Sequence, residues 1–178
     1  MNTVYMPIEI VSREYPGHIV LASHLAARGM RVVVGHREVV NSIAGRALEP
    51  GVVFFKGNDE LRHMDERYAR QPHVFVGQDP EAGINVEDIE AFISARPAHR
   101  LKDSQAYFCY GPRDYNRIRE RHPQSLERIH LLGSPRVWLW GGTGRGFYAE
   151  TVERIRNKST ALLADQFRIT RISKPVTV

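Results

Sequence analysis

Residues 3–35 read TVYMPIEIVSREYPGHIVLASHLAARGMRVVVG, and this stretch decides the fold. Residues 3–11 have the β-rich composition of a strand, and apolar side chains that recur on one face predict a helix from about residue 15 to 28. Gly29 is the expected C-cap of that helix. Residues 30–35 form a short apolar run rich in β-branched side chains, which is typical of a strand covered on both faces. The stretch therefore predicts a β-α-β unit.

The same alternation continues to about residue 132. Further helices are predicted over residues 38–48, from 58 or 59 to 70, 86–95 and 112–121, and further strands over 52–55, 73–77, 105–110 and 128–132. Each right-handed crossover between parallel strands places a helix over one side of the sheet. The pattern predicts an α/β fold with a doubly wound, mostly parallel Rossmann-like sheet of about six strands and helices on both faces.

After residue 133 the alternation loosens. Residues 135–140 are aromatic, 141–146 are glycine-rich and 147–157 are predicted to be helical, with at most one more strand beyond residue 161. The glycine run lacks the lysine and Ser/Thr of a phosphate-binding P-loop and the spacing of a dinucleotide fingerprint, so a flexible connection is expected there. We accordingly divide the chain into a domain of residues 1–140 and a second segment, 141–178.

Composition narrows the functional classes. The chain has 178 residues, of which 42% are hydrophobic, enough for one ordinary core. It contains neither an apolar run long enough to cross a bilayer nor a signal-peptide pattern, which predicts a cytoplasmic protein. The net charge of +5 is spread along the sequence. That spread argues against nucleic-acid binding and leaves anionic ligands, such as nucleotide phosphates or lipid head groups, beside an ordinary solvated surface.

Cysteine and histidine usage excludes two kinds of site. Cys109 is the sole cysteine, so an intrachain disulfide and a thiolate-rich zinc site are ruled out, and its apolar surroundings predict a buried structural thiol. The eight histidines show no spacing typical of metal ligands. We predict no metal site and no cofactor.

The loops after the strands are the expected binding region, because ligands of open parallel sheets collect at the carboxyl ends of the strands. Glu9 is notable there, since a carboxylate inside the apolar PIEIV stretch is costly unless it is paired or faces a cleft. Arg13 or Arg37 could pair with it. In the loop of residues 79–83, Glu81 could be a general base for an acceptor hydroxyl, and a plain solvated turn is the alternative. The substrate-binding candidates are Arg13, Gly35, Asp79, Gly83, Gly111, Gly133, Ser134 and Arg136.

Six segments follow one another in a familiar order: YMPIEIVSRE (5–14), LASHLAARG (21–29), VVVG (32–35), QDPEAG (78–83), AYFCYG (106–111) and LGSPR (132–136). Together they resemble the bacterial surface-carbohydrate biosynthesis protein family. Family members have an L-A-x-x-L-A-x-x-G helix and a Gly-Asn-Pro-Arg turn that the second and sixth segments match in order and spacing. The resemblance covers about residues 4–156.

The resemblance implies a GT-B-like glycosyltransferase of capsule or lipopolysaccharide assembly, of which residues 1–140 are the N-terminal, acceptor-side domain. Residues 141–178 would be a connection, a helix and the start of the second, donor-side domain. It implies a nucleotide-sugar donor, a glycan or glycolipid acceptor and a site near the inner membrane. Glu81 and Glu9 are the implied catalytic candidates, although Gln78 and Pro80 interrupt the acidic pair typical of the family.

A chain with only the acceptor side is expected to be inactive alone and to need a partner chain that supplies the donor domain. Two other hypotheses stay open at this point. One is a non-catalytic domain that binds a nucleotide or a phospho-sugar. The other is a scaffold that forms a homodimer through Trp138, Trp140 and Phe147.

Overall fold

The computed structural model describes residues 2–56, 73–80, 101 and 104–166, with side chains up to residue 157 apart from that of Thr143. The predicted helices at 58–70 and 86–95, and the candidates Glu81 and Gly83, lie outside these residues. The strands are β1 (Thr3–Ile8), β2 (Arg31–His36), β3 (Val52–Lys56), β4 (Val74–Gln78), β5 (Ala106–Cys109) and β6 (Ile129–Leu131).

The described α-helices are α1 (Val11–Ala26), α2 (Arg37–Gly45), α3 (Pro112–Arg121), α4 (Pro135–Trp140) and α5 (Ala149–Gln166). Short 3-10 helices cover Pro123–Arg128 and Gly142–Tyr148. The helix predicted at 112–121 is confirmed at both ends, since Pro112 occupies the first turn, where a missing N–H costs nothing.

The six strands form one all-parallel sheet in the order β2-β1-β3-β4-β5-β6. Alternate side chains of each strand face opposite sides, which gives the sheet two cores. On one side Val4, Met6 and Phe54 pack with residues of α1. On the other side Tyr5, Val53 and Phe55 pack against α2, and Tyr107 and Cys109 pack with Ile118 of α3. The predicted doubly wound Rossmann-like fold is confirmed.

The first helix begins at Val11, four residues before its predicted start at Tyr15, and β1 correspondingly ends at Ile8. Pro16, which directly follows the predicted start, lies inside the helix. The earlier start depends on Glu14, whose carboxylate accepts the backbone N–H groups of Glu9 and Ile10 at 2.8 and 3.4 Å and so holds the turn before the helix. Periodicity alone does not reveal such a contact.

The α-helix itself ends at Ala26, two residues before its predicted end, and the predicted Gly29 closes the turn that follows. Gly29 has φ of 83°, a conformation that favours glycine, and the N–H of Met30 donates to the carbonyl of Leu25 at 3.1 Å. Together with the bond from Gly29 N–H to the Ala26 carbonyl, this is the Schellman arrangement at a helix C-terminus.

The chain divides into two compact units, Met1–Trp138 and Leu139–Val178. The first contains the sheet. In the second, the glycine-rich run is folded for the most part into the 3-10 helix Gly142–Tyr148, where the N–H of Gly144 donates to the carbonyl of Gly141 at 3.0 Å. Among the described helices, none has the length and apolar content required to cross a bilayer.

Candidate functional site

The strand order sets a topological switch point between β1 and β3. The chain leaves β1 for β2 on one side of it, whereas β3 continues to β4 on the other side. Ligands of open α/β sheets bind in the crevice at the carboxyl ends of the strands that flank such a point. The residues to inspect are therefore those that follow Ile8 and those at the end of β3.

Glu9 lies at this position and contacts three cations from three elements. Its carboxylate lies 2.7 Å from Nζ of Lys56 at the end of β3, 3.4 Å from Nη1 of Arg37 at the start of α2, and 3.5 Å from Nη2 of Arg13 in α1. The sequence suggested Arg13 or Arg37 as partners, and the structure shows both. Lys56 was missed; its one sequence signal is a charged end to the apolar strand VVFFK.

The environment of Glu9 keeps it ionised. The hydrogen bond from Lys56, followed by the charges of Lys56 and Arg37, lowers the pKa of the Glu9 carboxyl, and partial burial opposes them. A carboxylate with a lowered pKa is a weak proton acceptor and a good hydrogen-bond acceptor. The side chain is 36% exposed, so an incoming ligand can reach it.

Glu14 fills the turn between β1 and α1. It is 5% exposed. One oxygen, Oε2, accepts the N–H groups of Glu9 and Ile10, and the other, Oε1, accepts Nη2 and Nε of Arg13 at 2.6 and 3.1 Å. In Rossmann-like nucleotide-binding domains the turn after the first strand presents backbone N–H groups to a phosphate. Here two of those groups already bind a carboxylate of the chain itself.

We call these residues and Glu38, which lies 3.7 Å from Arg37, the switch-point cluster. Its members are Glu9, Arg13, Glu14, Arg37, Glu38 and Lys56. Among the residues that the structure describes, three cations face three carboxylates, so these six side chains carry no net charge. A site of this kind offers both donors and acceptors to a ligand without attracting phosphate strongly.

The remaining predicted residues divide between two regions. Gly35 lies in β2, where its register partner is Pro7 of β1. The others follow β4, β5 and β6: they are Asp79, Gly111, Gly133, Ser134 and Arg136. The structure thus brings Glu9 and Arg13 together. The five residues that follow β4, β5 and β6 lie at the carboxyl ends of those strands, away from the switch point.

Ser134 and Gly133 have structural contacts. The Ser134 hydroxyl accepts the N–H of Arg136 at 3.3 Å and the Ser134 carbonyl accepts that of Trp138 at 3.0 Å, so Ser134 is the N-cap of α4. Gly133 has φ of 78°, and its carbonyl accepts Nε2 of Gln78 at 2.6 Å. That bond ties the end of β4 to the segment after β6.

Asp79 and Asp114 form a second group of polar residues, at the ends of β4 and β5. Asp79 is buried, and Oδ2 of Asp114 accepts the N–H of Tyr110 at 2.9 Å. Burial, and then the charge of Asp79, raises the pKa of the Asp114 carboxyl, while the Tyr110 N–H opposes the shift. Asp114 was not among the predicted residues, because a carboxylate in the first turn of a helix is common on any protein surface.

Within the described ranges no group of three or more His, Cys, Asp or Glu side chains is arranged to hold a metal ion. Cys109 is buried, and burial raises the pKa of its thiol to about 12.

The chain was compared with models of protein families, with curated proteins and with solved structures. It matches none of them.

Proposed function

We propose that this chain is the acceptor-binding domain of a GT-B-like glycosyltransferase of surface polysaccharide assembly, and that the switch-point cluster binds hydroxyl groups of the acceptor sugar. The observation that carries the proposal is the partly exposed, charge-balanced cluster around Glu9 at the switch point. The resemblance of six segments to the surface-carbohydrate family supports the same function.

A sugar hydroxyl both donates and accepts a hydrogen bond, so it needs both kinds of partner side by side. Glu9 accepts, and the donors Nζ of Lys56 and Nη1 of Arg37 lie 2.7 and 3.4 Å from its carboxylate. Charge-assisted hydrogen bonds of this type are about twice as strong as neutral ones. The cluster can therefore orient a vicinal pair of hydroxyl groups at the mouth of the cleft.

The same contacts argue against the alternative of a nucleotide or phospho-sugar site at this position. Such a site needs backbone N–H groups and an excess of positive charge. The N–H groups of Glu9 and Ile10 bind Glu14, and the cations are balanced by carboxylates. The donor nucleotide sugar is better assigned to a second Rossmann-like domain, on a further segment or a partner chain.

On this proposal Glu9 positions the acceptor, because its lowered pKa makes it a weak base. The base for the attacking hydroxyl remains the predicted Glu81. The proposal also places the chain in the cytoplasm, peripheral to the inner membrane, where nucleotide sugars and membrane-bound acceptors meet.

Isothermal titration calorimetry of the whole chain tests the proposal. Neutral and acidic oligosaccharides should bind saturably, and nucleotide sugars should not. Glu9→Gln should weaken oligosaccharide binding about tenfold or more, because it removes a charged hydrogen-bond acceptor. Glu120→Gln, at an exposed glutamate of α3, is the matched control and should leave the affinity unchanged.

Two results would contradict the proposal. Saturable binding of a nucleotide sugar that is indifferent to Glu9→Gln would favour a donor-binding domain. Sugar transfer by the isolated chain, with no second domain added, would show that it is more than an acceptor module.

A further inference from the structure

A cavity of about 340 Å³ opens on the α1 side of the sheet. Its apolar walls come from α1, from the middle strands and from the segment after β6. They are formed by Val20, Leu21, Phe54, Phe108, Leu132 and Trp138. The volume lies within the range of natural ligand pockets, roughly 300–1,000 Å³.

The cavity lining suits a hydrocarbon and disfavours a sugar or a base. Its surface is almost entirely carbon, and two of its polar residues have contacts of their own. Nε2 of Gln78 donates to the Gly133 carbonyl, and the Ser134 hydroxyl accepts the Arg136 N–H. Among the other lining side chains, His24 and Trp138 have polar nitrogens, so a polar ligand would regain few of the hydrogen bonds that it loses to water. Because a cavity of about 150 Å³ holds benzene, this one has room for roughly a dozen carbon atoms.

The cavity adjoins the switch-point cluster along β3. Phe54 lines the cavity, and Lys56, two residues later on the same strand, binds Glu9. Residues two apart on a strand share a face and lie about 6.6–6.8 Å apart. The ring of His18 lies 5.6 Å from that of Phe54, edge to face, and its Nδ1 is 2.8 Å from the Glu14 carbonyl, so His18 links the two regions.

We infer that the cavity binds the hydrocarbon chain of an amphiphilic acceptor whose sugar lies on the switch-point cluster, so that the acceptor is a glycolipid. The contact between the sugar and the switch-point cluster rests on the proposed function. The contact between the hydrocarbon chain and the cavity rests on the cavity alone. Trp138 and Leu132, 48% and 67% exposed, form the rim and are the side chains that a bound chain would cover.

Alkyl β-maltosides with chains of 6, 8, 10 and 12 carbons, used below their micellar concentrations, are suitable probes, with maltose as the chainless reference. The protein has two tryptophans, so Trp140→Phe leaves Trp138 as the single tryptophan. With excitation at a wavelength that the seven tyrosines do not absorb, the Trp138 emission should shift to the blue on binding. The affinity should rise about fourfold for each added methylene, until the cavity is filled.

Val20→Phe fills the cavity and should abolish the dependence on chain length. Val39→Phe is the matched control, since Val39 is 57% exposed on α2, on the opposite side of the sheet. Leu132→Glu adds a charge at the exposed rim, where folding is not at stake, and should weaken the binding of the longer maltosides at least tenfold.

The outcomes separate the two proposals. Affinity that is independent of chain length, or unaffected by both Val20→Phe and Leu132→Glu, overturns the cavity assignment and leaves the proposed function standing if maltose still binds in a Glu9-dependent way. A second outcome is that alkyl sulfobetaines and alkyl maltosides bind equally well, with affinities that Glu9→Gln does not change. That result supports the contact of the hydrocarbon chain with the cavity and rejects the contact of the sugar with the cluster. If no alkyl probe binds, the inference is wrong.

Discussion

Replacing Gly77 with alanine should force apart two aromatic rings that close over it. Gly77 of β4 is the register partner of Phe55 on β3 and of Tyr107 on β5. A Cβ at this position would lie 2.9 Å from Cζ of Phe55 and 3.0 Å from Cδ2 of Tyr107. Both rings are buried, at 4% and 2% exposure, and the strands that carry them are held by the sheet. The rings therefore have little room to move.

The expected loss follows from two opposing terms. Inserting a methyl group into a packed core costs about 1–3 kcal/mol, and two contacts this short place Gly77→Ala in the upper part of that range. Alanine also restricts the unfolded chain, which returns about 0.4–1 kcal/mol. We expect Gly77→Ala to lower the free energy of unfolding by about 1–2 kcal/mol.

Gly35→Ala is the matched control, because Gly35 is also a strand glycine and a Cβ there would lie 3.6 Å from Cγ2 of Val40, an ordinary contact. It should gain about 0.4–1 kcal/mol. In urea unfolding followed by far-UV circular dichroism, the free energies of unfolding of the two variants should differ by about 1.4–3 kcal/mol. In thermal unfolding their melting temperatures should differ by roughly 3–12 °C. If they differ by less than about 0.5 kcal/mol, the rings do not constrain Gly77 and the reasoning fails.

Three further predictions concern buried polar groups. Cys109, with its thiol pKa raised to about 12 by burial, should resist iodoacetamide at pH 8 in the folded protein and react once urea unfolds it; labelling before unfolding would contradict its burial. Since burial and Asp79 raise the pKa of Asp114 above 3.8, the ionised form destabilises the fold at neutral pH and this cost disappears below that value. Asp114→Asn should thus be more stable than the wild type at pH 7 and equal to it near pH 3 in urea titrations, and an equal gain at both values would rule out titration as the cause. Nδ1 of His73 accepts the Gly51 N–H at 3.0 Å, and Nε2 donates to the Ala44 carbonyl at 3.1 Å. His73→Leu should therefore lower the free energy of unfolding by about 2–4 kcal/mol in the same assay. An unchanged stability would mean that water replaces both contacts.

The helices and strands of the fold could be predicted because each one is determined mainly by its own residues. The short apolar run of residues 30–35 and the proline at the start of α3 each determine their own element, and both elements are confirmed. The predicted start of α1 was wrong because the helix begins at a turn that the Glu14 carboxylate holds through a side-chain contact. Periodicity carries no record of such a contact.

The candidate site was only partly predictable for a related reason. Arg13 is four residues from Glu9, and Arg37 follows the next strand, so both were foreseeable partners. Lys56 is 47 residues from Glu9 and meets it because β3, not β2 alone, neighbours β1. Strand order is a property of the whole sheet. The cavity beside Phe54 was not predicted, since its walls come from segments that no single motif unites.

The location of the charge bears on the kind of ligand that the domain takes. The whole chain has a net charge of +5, which from the sequence left anionic ligands open. The three cations of the switch-point cluster are nevertheless matched by three carboxylates, and the buried one, Glu14, occupies the turn where a phosphate would bind. The excess positive charge therefore lies outside the cluster. On the proposed function, selection at the switch point depends on hydrogen bonds to uncharged groups, as the recognition of a sugar requires.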